Sequence, residues 1–326
     1  MEPGHSRIFA LAAVLLALAL PALAEYPDKP IKMIVPWPPG GVTDTLARFS
    51  GDQLQRAVGQ PVVVENKGGA NGIIGTQAAA ALPADGYGLL AVTAETHAIN
   101  PSVYKPLPYD PLKDFDPVAM VARVSFVLAT RGDLAPNNVK ELIAYAKANP
   151  GKLSAASYGV GSTSHLGLAT FENLTGTSYI HVPFTGVAPA VNALLGGQVD
   201  LAFVNAYNVE PHRKTGKVKI LAVAGPERLH TIADVPTMAE QGIQNMYAGN
   251  WYGFVTPHGV PAAARDKLAM ELQKIARSKA FEEKAYAMGV QTEFRDAAQF
   301  SAFLREEGTR LGEVVRDKNI SIELKR

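Results

Sequence analysis

The chain contains no cysteine among its 326 residues. That absence excludes thiol nucleophiles, iron-sulfur clusters, cysteine-based zinc sites and disulfides, and it removes the acceptor for a lipid anchor at a signal-peptide cleavage site. An excess of charge is missing as well. With 31 Lys and Arg against 30 Asp and Glu, no global field draws the chain to nucleic acid or to an anionic membrane. Recognition must be local. Enzyme signatures are absent in turn: Ser162 and Ser164 do not stand in GxSxG, there is no HExxH, and the seven His fall singly, as in Ser164-His165 and Pro211-His212, without metal-ligand spacing. The sequence therefore offers no catalytic constellation, no metal site and no cofactor fingerprint.

What is there begins with an address. Arg7 precedes an unbroken apolar run over 8–20, followed by Pro21 and the small-x-small triplet Ala22-Leu23-Ala24, which reads as a signal peptide over 1–24 cleaved after Ala24. The run is shorter than the about 20 residues a membrane helix needs. No later stretch reaches that length without charge or proline, so a free periplasmic protein is expected.

The remainder alternates short apolar strands with amphipathic helices. A strand at 31–35, a helix carrying Leu46, Phe49, Leu54 and Val58, a strand at 62–65, a helix near 77–82 and a strand at 89–93 form one βαβαβ cycle. A second cycle opens with a strand at 124–130 and continues to 219–224, with Gly196-Gly197 as a helix C-cap. Nearly unbroken apolar strands imply mostly parallel sheets covered on both faces. The expectation is an α/β protein of two lobes, 25–124 with 251–326 and 125–250, joined by strands crossing near 122–127 and 250–254.

Two glycine-rich segments stand between a strand end and a helix start. The first is Pro36-Trp37-Pro38-Pro39-Gly40-Gly41-Val42-Thr43-Asp44. Its prolines stiffen the loop, its glycines let successive N–H groups point one way, and the helix behind it favours negative charge. Thr43 is a candidate helix cap, and Asp44 either occupies the favourable first turn or receives a donor from ligand or water. The second is Tyr158-Gly159-Val160-Gly161-Ser162-Thr163-Ser164-His165. It lacks the third glycine of a dinucleotide fingerprint and any GK[ST], so nucleotide binding is poorly supported. Its three hydroxyls beside free amides suit a carboxylate, although each alone is more often a simple cap. Because ligands of α/β sheets lie beyond the carboxyl ends of the strands, the two segments can face one shared cleft. Trp37, Tyr158 and Trp251 are candidate cleft aromatics, with core packing the alternative.

Several further motifs accompany these: Asp85-Gly86-Tyr87, His97-Ala98-Ile99-Asn100-Pro101, Pro108-Tyr109-Asp110-Pro111 with Asp114-Phe115, the stretch 161–167, His181-Val182-Pro183-Phe184-Thr185-Gly186, Gly196-Gly197-Gln198-Val199-Asp200 and Asp234-Val235-Pro236-Thr237. In this order and spacing, over essentially the whole mature length, the chain resembles the Bug family, the extracytoplasmic solute receptors of tripartite tricarboxylate transporters. The resemblance implies a two-lobed periplasmic-binding-protein fold that holds a small organic carboxylate by main-chain donors, hydroxyls and water. It implies ligand contacts from Trp37, Gly41, Thr43 and Asp44 in one lobe and from Ser162, Thr163, Ser164 and Gly186 in the other, with Thr93 and His97 on the cleft rim. It also implies permease subunits as membrane partners; the charge balance argues against nucleic acid, and the sequence gives no strong reason for an oligomer, so a monomer is expected.

Two positions depart from the family pattern. Many relatives carry Asp where this chain has Val204, with Asn205 as a neighbouring substitute; and where relatives have a small or hydroxyl residue before Thr96, this chain has Glu95. A carboxylate there repels a second anionic group and welcomes an amine or hydroxyl; a solvated loop glutamate is the alternative. The other functional classes compatible with the sequence are a ligand-sensing partner of a membrane sensor kinase and a secreted α/β hydrolase acting through Ser162 or Ser164.

Overall fold

The structure, a computed structural model, describes residues 26–323. The expected signal peptide lies outside the described residues. In the first half, β1 (Ile31–Val35), β2 (Val62–Asn66) and β3 (Gly88–Thr93) are parallel neighbours in the order β2-β1-β3, with α1 (Val42–Val58) and α2 (Ile73–Ala80) as crossovers. Leu46, Ala47 and Leu54 put the apolar stripe of α1 into the core. Gly59, in the left-handed conformation at φ 70°, ends the helix where a side chain would be strained. The helix expected near 77–82 starts earlier, at Ile73, directly after the left-handed Gly72.

A one-turn π-helix, Glu95–Ile99, follows β3 and runs into α3 (Asn100–Val103) and the two-residue β4 (Tyr104–Lys105). The next strand corrects the sequence expectation: the segment expected at 124–130 is the second half of one strand, β5 (Phe115–Arg131). Asp116 and Pro117 hide its first half, because proline cannot donate to a sheet ladder. Here Pro117 sits beside a register shift in the pairing with β10 (Gly249–Pro257), where the ladder is already irregular.

β5 spans both halves. Its 115–125 portion pairs with β10 and, around Met120–Arg123, with β11 (Gln291–Arg295); its 126–131 portion pairs with β8 (Leu201–Asn205) and β9 (Val218–Ala224). The second half repeats the first, with α4 (Val139–Ala148), β6 (Ser154–Ser157), α5 (Thr163–Thr175), β7 (Ile180–Pro183) and α6 (Val187–Leu195); its parallel order is β8-β6-β7. α7 (Ala206–Arg213) follows β8. A second crossing lies at Ala248, whose amide donates to Ala224 O and whose carbonyl accepts from Phe126 N just before β10 begins. The chain then closes on the first half with α8 (Ala262–Ala276), α9 (Lys279–Tyr286), β11, α10 (Ala297–Asp317) and β12 (Ile322–Glu323), which pairs with β4. The result is an α/β fold of two lobes hung on two crossing segments, with the turn after β3 in one lobe hydrogen-bonded to the start of α5 in the other.

Candidate functional site

The two glycine-rich entrances fold differently. α1 begins at Val42 with Gly41 as its N-cap, and no side chain caps it. Thr43 is the second residue of the helix and does not serve as the expected cap. Among the described residues no acceptor reaches the amides of Gly41, Val42, Thr43 or Asp44; the first amide of this turn to be bonded is Thr45 N, to Gly41 O at 2.9 Å. These orphan donors, with the positive end of the helix dipole behind them, form an open site for an anion.

Asp44 keeps that site open from beneath. Its Oδ2 accepts from Gly40 N at 2.9 Å and from Arg48 Nε at 3.1 Å, while Oδ1 accepts from Asn66 Nδ2 at 2.8 Å. Asn66 Nδ2 also donates to Trp37 O at 3.0 Å. The carboxylate is thus spent on the loop's own shape, the first-turn role of the two the sequence left open. Burial alone raises the Asp44 pKa, but the Gly40 amide, Arg48 and Asn66 outweigh it and hold the group below the usual carboxylate range. A close approach supports the loop from the other side: a methyl group at Gly75 would lie 2.5 Å from Lys67 O and 2.6 Å from Pro36 Cα. Trp37 is half-buried, and its Nε1 has no partner among the described residues.

At the second entrance the hydroxyls are already engaged. Ser162 is the N-cap of α5, accepting from His165 N at 3.3 Å and donating to Gly159 O at 2.7 Å. Ser164 Oγ donates to Phe203 O at 2.7 Å. Both serines brace backbone, and neither is hydrogen-bonded to a base as a hydrolytic nucleophile would be. His165 Nδ1 accepts from Gly161 N at 3.2 Å, and its ring stacks on His181 at 3.8 Å between centroids. Burial, reinforced by His181, pushes His165 down to about 4. His181 Nε2 lies 2.6 Å from Ser157 Oγ, a pair the sequence did not single out, but Ser157 is fully buried.

Thr163 points across the gap. Its Oγ1 donates to Glu95 Oε1 at 2.9 Å, joining the start of α5 to the turn after β3. Glu95 is only 6% exposed. Thr93 Oγ1 donates to Glu95 Oε2 at 2.8 Å, and Asn250 Nδ2 on the crossing strand reaches Oε1 at 3.2 Å and Oε2 at 2.9 Å. The solvated-glutamate alternative is thereby corrected: Glu95 is a buried hub between lobes. Tyr158 and Tyr252 flank it; burial raises both phenol pKa values and the Glu95 charge adds to the effect. Among the described residues the Tyr158 hydroxyl makes no well-formed hydrogen bond, with the Asn205 backbone amide its nearest donor. A methyl group at Gly72 would lie 2.7 Å from Thr96 Cγ2 and 3.4 Å from Trp37 Cζ2, so the first entrance borders the Glu95 turn.

The remaining candidates divide. Gly186 caps α6 at φ 115°, a conformation favouring glycine, with open space beside it. His97 departs from the rim position expected of it. It is 2% exposed, packs on Phe115 at 5.2 Å, and lines a groove of about 910 Å³ with Tyr109, Leu304 and Arg305 instead of facing Thr163. Burial pushes its imidazole down to about 3, and Nε2 is unpartnered among the described residues. Asn205 does not replace the missing aspartate as a free contact: its Oδ1 accepts from Tyr207 N at 3.1 Å and its Nδ2 donates to Met288 O at 3.2 Å, tying β8 to the loop before β11. Trp251 packs edge-on against Phe300 at 5.5 Å, the core role. Asn250 and Asn66 were missed by sequence reasoning. For Asn250 the one available signal was a polar residue opening an expected crossing strand. Among the described residues no group of three His, Asp or Glu is placed to hold a metal ion.

Two lobes on shared crossing segments, bridged by the hydrogen bond from Thr163 at the start of α5 to Glu95 after β3, have the architecture of a two-lobed solute receptor. Comparison with known proteins agrees. The chain belongs to the tripartite tricarboxylate transporter receptor family, whose family model matches residues 46–320. It is 36% identical to the protein BugT of Bordetella pertussis over 98% of this chain and 99% of that one. The solved structure of the periplasmic binding protein BugD is similar at a TM-score of 0.77 and 36% identity, covering 92% of this chain and all of the other. The R. palustris protein Rpa4515, solved with adipate, matches at a TM-score of 0.81 and 30% identity, covering 92% of this chain and all of that one. The fold and the family make this chain a solute-binding receptor of the periplasmic type.

Proposed function

We propose that this receptor captures a small organic carboxylate between the lobes 25–124 with 251–326 and 125–250, and delivers it to the permease of a tripartite membrane transporter. The observation that carries this reading is the row of unpartnered amides at 41–44, at the entrance of an uncapped 17-residue helix. Gly41 and Thr43 border the ligand, Asp44 shapes the cradle, and Trp37 closes its side. From the opposite lobe, Thr163 and the start of α6 at Gly186 face the same gap, while Ser162 and Ser164 hold the second entrance rigid. Lobe closure over the acid expels water and strengthens each amide-to-carboxylate bond. The adipate in the related R. palustris structure fits this ligand class. Export precedes function, with cleavage expected after Ala24.

Titration calorimetry and thermal-shift measurements with mono-, di- and tricarboxylates test the reading. At ligand one hundred times above its Kd, a site specific for the native state adds about 2.7 kcal/mol of stability. A set of acids that produces neither heat nor a shift at millimolar concentration overturns it.

A further inference from the structure

Glu95 raises a problem that the captured carboxylate alone does not solve. A buried carboxylate is costly unless its charge is compensated. The donors to Glu95 are all neutral: the hydroxyls of Thr93 and Thr163 and the side-chain amide of Asn250. Among the described residues no Lys, Arg or His lies within ion-pair distance of it, although ion pairs are frequent elsewhere in the molecule. Beside it the buried Tyr158 hydroxyl has only the Asn205 backbone amide near it, makes no well-formed hydrogen bond, and senses the Glu95 charge. The carboxylate joins both lobes and a crossing strand, so lobe closure brings it and the ligand into one enclosed, low-dielectric space.

We infer that Glu95 selects ligands that carry a cationic nitrogen together with the carboxylate, that is amino acids or amino-substituted acids, over plain dicarboxylates of the same length. The inference rests on the receptor reading above. The ligand carboxylate lies at the 41–44 amides, and its ammonium group completes the charge at Glu95, donating to the carboxylate and placing a polar atom near the Tyr158 hydroxyl. In a plain dicarboxylate no ammonium stands at Glu95, so its second negative group repels that carboxylate uncompensated across a space where like charges are weakly screened. A hydroxy acid supplies a donor without the charge and ranks between them.

The test is a matched series measured by calorimetry at pH 7 on the mature protein: succinate, malate and aspartate; glutarate, 2-hydroxyglutarate and glutamate; adipate and 2-aminoadipate. In the best-bound chain length, the amino acid is expected to bind at least tenfold more tightly than the unsubstituted acid. Glu95→Gln keeps the shape and hydrogen-bonding capacity of the side chain, and it should erase at least tenfold of that preference, chiefly by improving the plain acid. Equal or tighter binding of the plain acid by the native protein overturns the inference while leaving the receptor reading intact. So does a hydroxy acid that matches the amino acid, or an unchanged ratio in a folded Glu95→Gln protein. The native ratio decides the matter even if the variant does not fold. If no acid of any class binds, the receptor reading fails first and this inference with it.

Discussion

The two glycine-rich entrances look alike in sequence and differ in what their donors do. At the first, the carboxylate of Asp44 turns back to Gly40, Arg48 and Asn66, and the helix-start amides remain free. At the second, Ser162 caps its helix, Ser164 is tied to Phe203 O, and Thr163 is engaged with Glu95 across the lobe gap. One entrance has donors to offer; the other has its hydroxyls already engaged. A receptor that must close on its guest needs both, because a site loose on both sides loses affinity to ordering costs.

The comparison can be broken first at the loop supports. Gly75→Ala drives a methyl group into Lys67 O and Pro36 Cα, and neither is the end of a flexible side chain. It should cost about 3 kcal/mol or more and weaken ligand binding, seen in denaturant melts and calorimetry. Asp44→Ala strands the Gly40 amide and the Asn66 amide. It should cost about 2–3 kcal/mol, and it should also weaken the acid's affinity through the loop that the Asp44 carboxylate holds in shape. Unchanged affinity in a folded Asp44→Ala protein would show that the first entrance needs no organiser. Acid dissolves this support too. The Asp44 pKa is depressed in the folded protein, so its stabilising contribution is complete at neutral pH and fades as the pH falls below about 4.

The second entrance fails at a milder pH. His165, held down to about 4 by burial and by His181, binds its proton more readily once unfolded, where its pKa is about 6.5. The unfolded state therefore gains protons first, and stability falls as the pH drops from about 6.5 towards 4. Allowing for the partial exposure of the ring, the loss is about 2 kcal/mol. His165→Phe should flatten this part of the stability profile; a profile identical to that of the native protein would remove His165 from the account. Buried His97, held down to about 3, adds a loss of the same sign that the variant retains.

Smaller effects sharpen the contrast. Ser162→Ala removes a working cap and should cost about 1 kcal/mol. The converse change, Gly41→Ser, supplies the cap that the first entrance lacks, at φ −78° with no heavy atom within 4 Å of the added Cβ. It should raise stability by a few tenths of a kcal/mol, about the difference between these caps. It should also lower affinity for the acid at least tenfold, because a serine oxygen then occupies the donors. A Gly41→Ser protein that binds the acid as before would place the ligand elsewhere.

Much of this fold was legible residue by residue. Nearly unbroken apolar runs, interrupted by Lys32 in β1 and Lys219 in β9, mark β1, β3 and β9, and the left-handed Gly197 stands at the helix end that its sequence context implies. Pro117 concealed half of β5, since a local reading treats proline as an interruption and cannot know that a register shift in β10 will accommodate it. The candidate site was legible as two entrances and as an odd glutamate, but not as a network. Glu95 meets Thr163 at a separation of 68 residues and Asn250 at 155. His97, placed on the rim by its motif, packs inward because the π-turn swings it onto Phe115.

The sequence by itself determined the alternation of strands and helices, which glycines open the entrances, that no thiol chemistry operates, and to which family the motifs belong. These are properties of local backbone preference and short-range periodicity, carried by neighbouring residues. Only the tertiary structure decided that Asp44 braces a loop, that Asn205 ties β8 to the Met288 loop, and that Glu95 is buried between lobes without a cationic partner. Whether a polar side chain is available to a ligand depends on every donor and acceptor within about 3 Å, and those arrive from distant parts of the chain only when it folds.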